Sequence, residues 1–220
     1  GYYKEMLEIM KGFMQALKDN QCIKLAVITG CLKIAKESIF TGTNNFVSNT
    51  ITSSRLNEYY GFVQNEVDRI LEDAEIKGKG DIMKKWYDGY HFGDVDVYCP
   101  WDVMCYVDDL QKNPNAKPDE YWKDTSDNAI IRSFIDYAGA SITKKLETLM
   151  NGGYIIQRVD ENLTYDYLHS SEENLWSLMY LTGYLTQVRD YKIDDGWQDN
   201  MVALKIPNLE IKQIFETEVS

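Results

Sequence analysis

The stretch 24–45, KLAVITGCLKIAKESIFTGTNN, carries side chains of the types that phosphate chemistry uses. Thr29 offers a hydroxyl, Lys33 a positive charge, and Asn44 and Asn45 offer amides. Phosphoryl transfer depends on positioning and on electrostatic stabilisation, so it requires groups of these types. The alternative interpretation is an ordinary strand-to-helix turn followed by a capped loop. Spacing alone leaves both interpretations open.

The residues before Thr29 predict the element that positions its hydroxyl. Residues 25–28 are continuously apolar, a pattern that suits a central strand of a parallel sheet covered on both faces. A strand over 23–29 that ends in Thr29-Gly30 places the hydroxyl at the carboxyl edge of the sheet, where open α/β sheets bind ligands. A single strand cannot form a parallel sheet, so its neighbours must come from other parts of the chain or of a longer protein.

Composition restricts the class of protein. The chain has 220 residues, of which 44% are apolar, and a formal net charge of −12. The acidic balance disfavours a general nucleic-acid binder, and no apolar stretch is long enough to cross a membrane. With no signal peptide in the sequence, we expect a cytoplasmic protein. No C-x-x-C pair occurs, which predicts reduced and mostly buried thiols. The cysteines are Cys22, Cys31, Cys99 and Cys105.

Apolar periodicity predicts a fold that is mostly α with minor β, an α+β class. Helices are expected over 2–18, 31–38, from 61 to about 78, 81–86, from Pro100, around Ile130, around Ile142, near 171–182 and after Pro207. Strands are expected at 154–159, 184–191 and 200–206. Helices followed by a two-stranded wing are typical of winged-helix domains. We predict three parts: 1–60, 61–116 and 117–220.

Residues 86–92 form an aromatic cluster around an Asp-Gly turn signal. The cluster could stack on a ligand, but an aromatic plug that seals the helical module is the favoured interpretation. His91 is expected to be a hydrogen-bonded structural residue. Nearby aspartates are dense enough to suggest a divalent ion, but their spacing does not match an EF-hand loop, so turn and capping roles are expected. They are Asp88, Asp94, Asp96 and Asp102.

Two segments have the E-x-K form of PD-(D/E)XK nucleases, namely Glu75-Ile76-Lys77 and Glu210-Ile211-Lys212. Both fall on helical patterns, whereas that chemistry needs the pair on a strand beside an aspartate. We therefore reject both as nuclease sites. The expected wing is rich in aspartate and would repel a phosphate backbone, so nucleic-acid binding through this chain is disfavoured.

The residues 29–45, TGCLKIAKESIFTGTNN, resemble the signature of the predicted AAA-ATPase-like family of bacteria. Further motifs continue the resemblance in family order along nearly the whole chain. Lys33 stands where many members carry arginine, and lysine lacks the planar fork of an arginine sensor. Cys99 stands where asparagine is usual. The further motifs are Gly61-Phe62, Glu66-Val67, Trp86-Tyr87-Asp88-Gly89-Tyr90, Tyr98-Cys99-Pro100-Trp101, Tyr121-Trp122, Thr125-Ser126, Gly183-Tyr184-Leu185 and Ile206-Pro207-Asn208.

The resemblance implies that this chain is the rear half of a P-loop ATPase. Full-length members resemble ATPases with a glycine-rich phosphate loop and an acidic strand upstream, and often a PD-(D/E)XK nuclease-like domain downstream. The sequence has no G-x-x-x-x-G-K-[ST] and no apolar strand ending in paired acids. The resemblance places Gly1 just after the acidic strand of the parent protein. ATP and Mg²⁺ are then cofactors of the full-length protein, and neither is expected to bind this chain alone.

Within that resemblance, 1–60 is the rear part of the ATPase core, 61–116 a helical lid and 117–220 a winged-helix-like part. Thr29 and Lys33 would sense the γ-phosphate, and Gly30, Asn44 and Asn45 would lie against the nucleotide. The implied partners are the rest of the ATPase core and, in members that carry it, the downstream nuclease-like domain. The alternative function is a helical protein-interaction adaptor that no longer uses nucleotide.

Overall fold

The computed structural model describes residues 2–30, 47–122, 139–161, 171–189, 191 and 201–219. Its described part is a mixed α+β structure in which helices predominate, as the sequence predicts. A short 3₁₀ turn covers Asn57–Tyr59. The helices are α1 Tyr3–Asp19, α2 Gln64–Asp73, α3 Gly80–Tyr87, α4 Pro100–Lys112, α5 Ala140–Met150, α6 Glu172–Leu181 and α7 Leu209–Val219. The strands are β1 Tyr90–Phe92, β2 Val95–Val97, β3 Ile155–Arg158, β4 Thr186–Gln187 and β5 Met201–Lys205.

The helices begin where local chemistry favours a start. α4 has Pro100 as its first residue, where the missing N–H costs no intrahelical hydrogen bond. α6 follows Ser171, whose hydroxyl accepts a hydrogen bond from the backbone N–H of Asn174 at 3.2 Å and so caps the helix. The apolar stripe of α4, namely Val103, Met104, Val107 and Leu110, is buried except for Met104, which is 49% exposed.

Two sheets organise the strands. β3, β5 and β4 form an antiparallel sheet with β5 in the centre, which confirms the three strands predicted in this part of the chain. β4 and β5 are shorter than predicted. β1 and β2 form an antiparallel hairpin that the sequence analysis did not predict. Gly93 makes its tight turn possible, with φ of +57°.

The described residues contain two apolar clusters. The larger one joins α5, α6, α7 and the three-stranded sheet around Trp176, Tyr184 and Phe215, and it also includes Tyr90 and Val97 of the hairpin. The smaller one lies among α2, α3 and α4. The hairpin, which follows α3 in the sequence, therefore packs in the same cluster as α5, α6 and α7. The predicted boundaries at 60 and 116 stay predictions.

This chain does not form the strand predicted over 23–29, and its residues 23–30 are an irregular segment without regular secondary structure. Leu25 is 81% exposed and Val27 is 76% exposed. A buried strand needs neighbours, and no strand of the described residues pairs with this segment. The helices predicted at 31–38 and around Ile130 lie outside the described residues.

In the part of the chain that the structure describes, no helix combines the length and the apolarity needed to cross a lipid bilayer. Over the same residues, no group of three histidine, cysteine or carboxylate side chains is arranged to hold a metal ion.

Candidate functional site

The structure places two of the predicted sensor residues and leaves the others untested. Thr29 and Gly30 are exposed and lie at the end of the irregular segment 23–30. Lys33, Asn44 and Asn45 lie outside the described residues. Whether the predicted phosphate-sensing groups lie together therefore stays a prediction.

Exposed apolar side chains are concentrated near the amino end of the described structure. More than half of the large apolar side chains that are exposed in the described residues lie within 2–28. Helix α1 keeps its predicted amphipathic pattern, but most of its apolar stripe faces solvent, and Met14 is its buried residue among those with described side chains. We call this set the N-terminal apolar surface. It comprises Tyr2, Met6, Ile9, Met10, Phe13, Ile23, Leu25, Val27 and Ile28.

A second notable site is a pair of buried carboxyl groups on facing helices. Asp102 in the first turn of α4 and Glu210 in the first turn of α7 are both 0% exposed. The backbone N–H of Trp122 donates to Oε1 of Glu210 at 2.9 Å. Among the described residues, no amide, hydroxyl or cationic group donates to either oxygen of Asp102 or to Oε2 of Glu210. The two carboxyl groups lie within hydrogen-bonding reach of each other.

The environment of this pair raises both pKa values. Burial is the main cause for Glu210, and the charge of Asp102 adds to it, so the pKa of Glu210 rises to about 9. Burial also raises the pKa of Asp102, while hydrogen bonds from Glu210 and from the Cys99 thiol oppose that rise. At neutral pH the pair therefore retains a proton. Each acid lies in the first turn of its helix, a position that favours a negative charge, so helix position does not decide which carboxyl group holds the proton.

A close backbone contact lies beside these carboxyl groups. Gly89 joins α3 to β1 with φ of +105°, and it approaches the carbonyl oxygen of Pro207 just before α7. The contact and the carboxyl pair together form what we call the α7 junction, defined by Gly89, Asp102, Pro207 and Glu210. This junction joins elements from the predicted lid to elements of the predicted C-terminal part.

The aromatic motif at 86–92 is a packing element, as favoured from the sequence. Tyr87 is fully buried, and its ring centroid lies 5.7 Å from that of Tyr106 and 5.9 Å from that of Tyr121. Its hydroxyl donates to the carbonyl oxygen of Asp119 and accepts from the N–H of the same residue, both at 3.1 Å. The motif therefore fastens the chain after α4 to α3.

His91 has the structural role that the sequence predicts. Its Nδ1 lies 2.9 Å from Oδ1 of Asp96, and Arg189 places Nη2 2.5 Å from the other oxygen of that carboxylate. The three side chains tie the hairpin to the segment after β4. Asp94 accepts a hydrogen bond from Asn57 at 2.6 Å, in keeping with the turn role predicted for it. Asp102 departs from that prediction, because it is buried against another acid.

The thiols differ from the prediction of mostly buried cysteines. Cys22 is exposed, and Cys99 and Cys105 are half-buried, while Cys31 lies outside the described residues. All three described thiols are free, as predicted. Burial and the neighbouring Asp102 charge raise the pKa of the Cys99 thiol to about 12, so it stays protonated.

The sequence analysis did not predict the carboxyl pair, although the spacing of Asp102 places it on the apolar face of α4. Asp102 precedes Tyr106 and Leu110 by one and two helical turns, and both of those residues are buried. The rejection of Glu210 as a nuclease residue stands on its helical position, which α7 confirms. The helical position predicted for Glu75 is wrong, because Glu75 lies in the loop after α2 and has a φ of +58°.

Comparisons with known proteins give one distant relative. The chain is 26% identical over 211 residues to an uncharacterized protein encoded in the vnfD 5′ region of Azotobacter chroococcum mcd 1. The match covers 95% of this chain and 37% of that protein. No protein-family model matches the chain, and no solved structure matches it. The chain therefore resembles little more than a third of a longer protein of unknown function.

Proposed function

We propose that this chain supplies the sensor, the lid and a winged-helix-like part to a cytoplasmic AAA-like ATPase. The phosphate-binding loop and the acidic, magnesium-holding strand belong to another part of the parent protein. In that parent, Thr29 and Lys33 contact the γ-phosphate of ATP, and Gly30, Asn44 and Asn45 lie against the nucleotide. The basis for these roles is the family resemblance of residues 29–45.

One structural observation supports the proposal best, and it is the exposure of the segment before Thr29. Residues 25–28 are apolar and exposed, and no strand of the described residues pairs with them. Exposed apolar side chains on both sides of a short segment are what a central strand presents when its neighbouring strands are absent. The apolar stripe of α1 is exposed in the same way, as expected for a helix that covers one face of such a sheet.

The greater length of the Azotobacter relative is compatible with this division. The matched region covers 37% of that protein, so it has room for a phosphate-binding loop and for a further domain. In the winged-helix-like interpretation, α5, α6 and the sheet β3-β5-β4 form the C-terminal part. The α7 junction then connects that part to the lid.

Titration calorimetry of this chain with ATP and magnesium tests whether the phosphate-binding groups belong to another part of the parent protein. We expect no appreciable binding, because the groups that hold the phosphates are elsewhere. Micromolar affinity would overturn the proposal. In the parent protein, Thr29→Ala and Lys33→Ala should each lower ATPase turnover, whereas Lys117→Ala, at an exposed loop position, should leave it unchanged.

The second candidate is an adaptor that binds another protein and does not use nucleotide. The N-terminal apolar surface favours it, because large exposed apolar areas mark interaction sites. The two candidates differ in the coding sequence that precedes residue 1. A G-K-[ST] loop followed by an acidic strand end supports the ATPase, and their absence supports the adaptor.

A further inference from the structure

The α7 junction brings two acids together without a counter-ion. Asp102 and Glu210 are both 0% exposed, and within the described residues neither forms an ion pair. Three of their four carboxyl oxygens receive no hydrogen bond from a conventional donor of the described residues. Buried polar atoms are usually paired, so this arrangement needs a physical explanation.

Among the elements that the structure describes around the pair, none supplies a cation to it. The titratable groups that act on it come from α3, β1, the chain before α4, α4 itself and the segment before Trp122. They are Tyr87, Tyr90, Cys99, Cys105 and Glu120. Helices α3 and α5 also pack against α7, but Lys84 and Lys85 of α3 are exposed. In α5, Lys144 and Glu147 are exposed and Lys145 pairs with Glu172.

A shared proton explains the missing donors. Two ionised carboxylates in contact within the protein interior repel each other strongly, so one of them retains its proton. The protonated acid then donates a hydrogen bond to the ionised one, which satisfies an oxygen on each side. Loss of that proton would leave two like charges in contact between α4 and α7, and no cation of the described residues pairs with either of them.

We propose that Asp102 and Glu210 form a proton-operated latch between α4 and α7. The contact holds while the two carboxyl groups share one proton, and it opens when alkaline solution removes that proton. The latch does not depend on the proposed ATPase function. If that function is correct, the latch joins the lid to the winged-helix-like part.

The sign of the pH dependence follows from the two states of the chain. In the unfolded chain both carboxyl groups ionise near about pH 4, whereas in the folded chain one of them keeps its proton to about pH 9. Between these values the folded state binds more protons than the unfolded state. Stability therefore falls as the pH rises, and the folding equilibrium constant contributed by the pair drops about tenfold per pH unit.

Denaturant unfolding of the whole chain between about pH 5 and about pH 9 tests the latch. The key variant is Glu210→Gln, whose amide donates to Asp102 but does not titrate. The ratio of wild-type to variant folding constants should fall about tenfold per pH unit across this range. The control is Glu216→Gln, the same change at an exposed position of α7, for which the ratio should stay constant. A constant ratio for Glu210→Gln would overturn the proposal.

Infrared spectroscopy of the wild-type chain tests the shared proton without any variant. We expect the band of a protonated carboxyl group at neutral pH, and we expect it to disappear with a midpoint near pH 9. Absence of this band at neutral pH would overturn the proposal even if Glu210→Gln failed to fold.

Limited proteolysis measures the opening of the contact between α4 and α7. On going from neutral to alkaline pH, the wild type should lose more of its resistance to protease than Glu210→Gln does. Equal loss in the two proteins would contradict the latch.

Discussion

Gly89 approaches Pro207 so closely that a Cβ carbon on the glycine would lie 2.3 Å from the proline carbonyl oxygen. Two constraints therefore act on this position at once. The backbone has a φ of +105°, which side-chain-bearing residues rarely adopt, and the neighbouring atom is backbone that cannot turn away as a side chain can. The α7 junction depends on the absence of a side chain here.

Gly89→Ala should therefore destabilise the chain by about 2–4 kcal/mol, from backbone strain and steric overlap together. Gly78→Ala is the matched control, because Gly78 also has a positive φ but has no atom near its Cβ position. The control should cost only about 1 kcal/mol. Denaturant unfolding measures both. Equal losses of unfolding free energy in the two variants would show that the close contact with Pro207 adds nothing to the cost of Gly89→Ala.

The network of His91, Asp96 and Arg189 should make part of the stability depend on acid pH. Burial alone would raise the pKa of Asp96, but hydrogen bonds from Arg189 and His91 outweigh it and hold the pKa below its usual range. The stability from this group is therefore fully present above about pH 4 and is lost as the pH falls through the lowered folded-state pKa. Because the Asp96 side chain is 41% exposed, Asp96→Asn should cost only about 1 kcal/mol at neutral pH.

The cost of Asp96→Asn should vanish in strong acid, where the wild-type carboxyl is also protonated. Urea unfolding at neutral and acid pH measures this convergence. The control is Asp73→Asn, which removes an exposed pair with Arg69 at 3.7 Å and should change stability by less than about 0.5 kcal/mol. A cost for Asp96→Asn that persists unchanged in acid would contradict the electrostatic explanation.

Charged substitutions on the N-terminal apolar surface should leave the folding of this chain unchanged but should disrupt the proposed sheet of the parent protein. Leu25 and Val27 are exposed, so the double variant Leu25→Glu, Val27→Glu should leave the stability of this chain within about 0.5 kcal/mol. In the parent protein the same change should abolish ATPase turnover, because it would place charges inside the proposed sheet. Full turnover in the charged parent would argue against the strand assignment.

Removal of the Tyr87 hydroxyl should loosen the segment after α4. Tyr87→Phe keeps the buried ring but breaks both hydrogen bonds to Asp119, and we expect a cost of about 1–2 kcal/mol. Tyr59→Phe changes a residue that is 73% exposed and serves as the control, with no measurable effect expected. Thermal unfolding compares them. An unchanged midpoint for Tyr87→Phe would mean that water replaces the lost partners at no cost.

Local sequence signals predicted most of the helices and the three strands β3, β4 and β5, but not that β5 lies between the other two. Pro100 and Ser171 are residue types that favour a helix start, and they begin α4 and cap α6. Apolar periodicity indicates which faces of these two helices are buried. These features arise from short-range chemistry that a single sequence records. The hairpin β1–β2 was not predicted, because each of its strands is only three residues long. So short a strand, next to an aromatic motif, shows no recognisable alternation of apolar and polar residues.

The candidate site was less predictable, because its features depend on tertiary contacts. Whether residues 25–28 are buried is decided by neighbouring strands, and the sequence pattern does not say which chain supplies them. The spacing of Asp102 from Tyr106 and Leu110 indicates a buried face of α4, but nothing in the sequence indicates that Glu210 lies beside Asp102. Only the approach of the first turns of α4 and α7 in the structure shows the pair.

The central position of β5 has a consequence for the order in which this chain acquires its structure. β3 and β4 do not pair with each other, and each forms hydrogen bonds with β5, which follows both in the sequence. During synthesis, residues up to 200 can leave the ribosome while both strands still lack their common partner. Such long-range pairing is slow and leaves strand edges open to aggregation. Released fragments that end just before Met201 should therefore depend on chaperones far more than the released 220-residue chain, which contains β5.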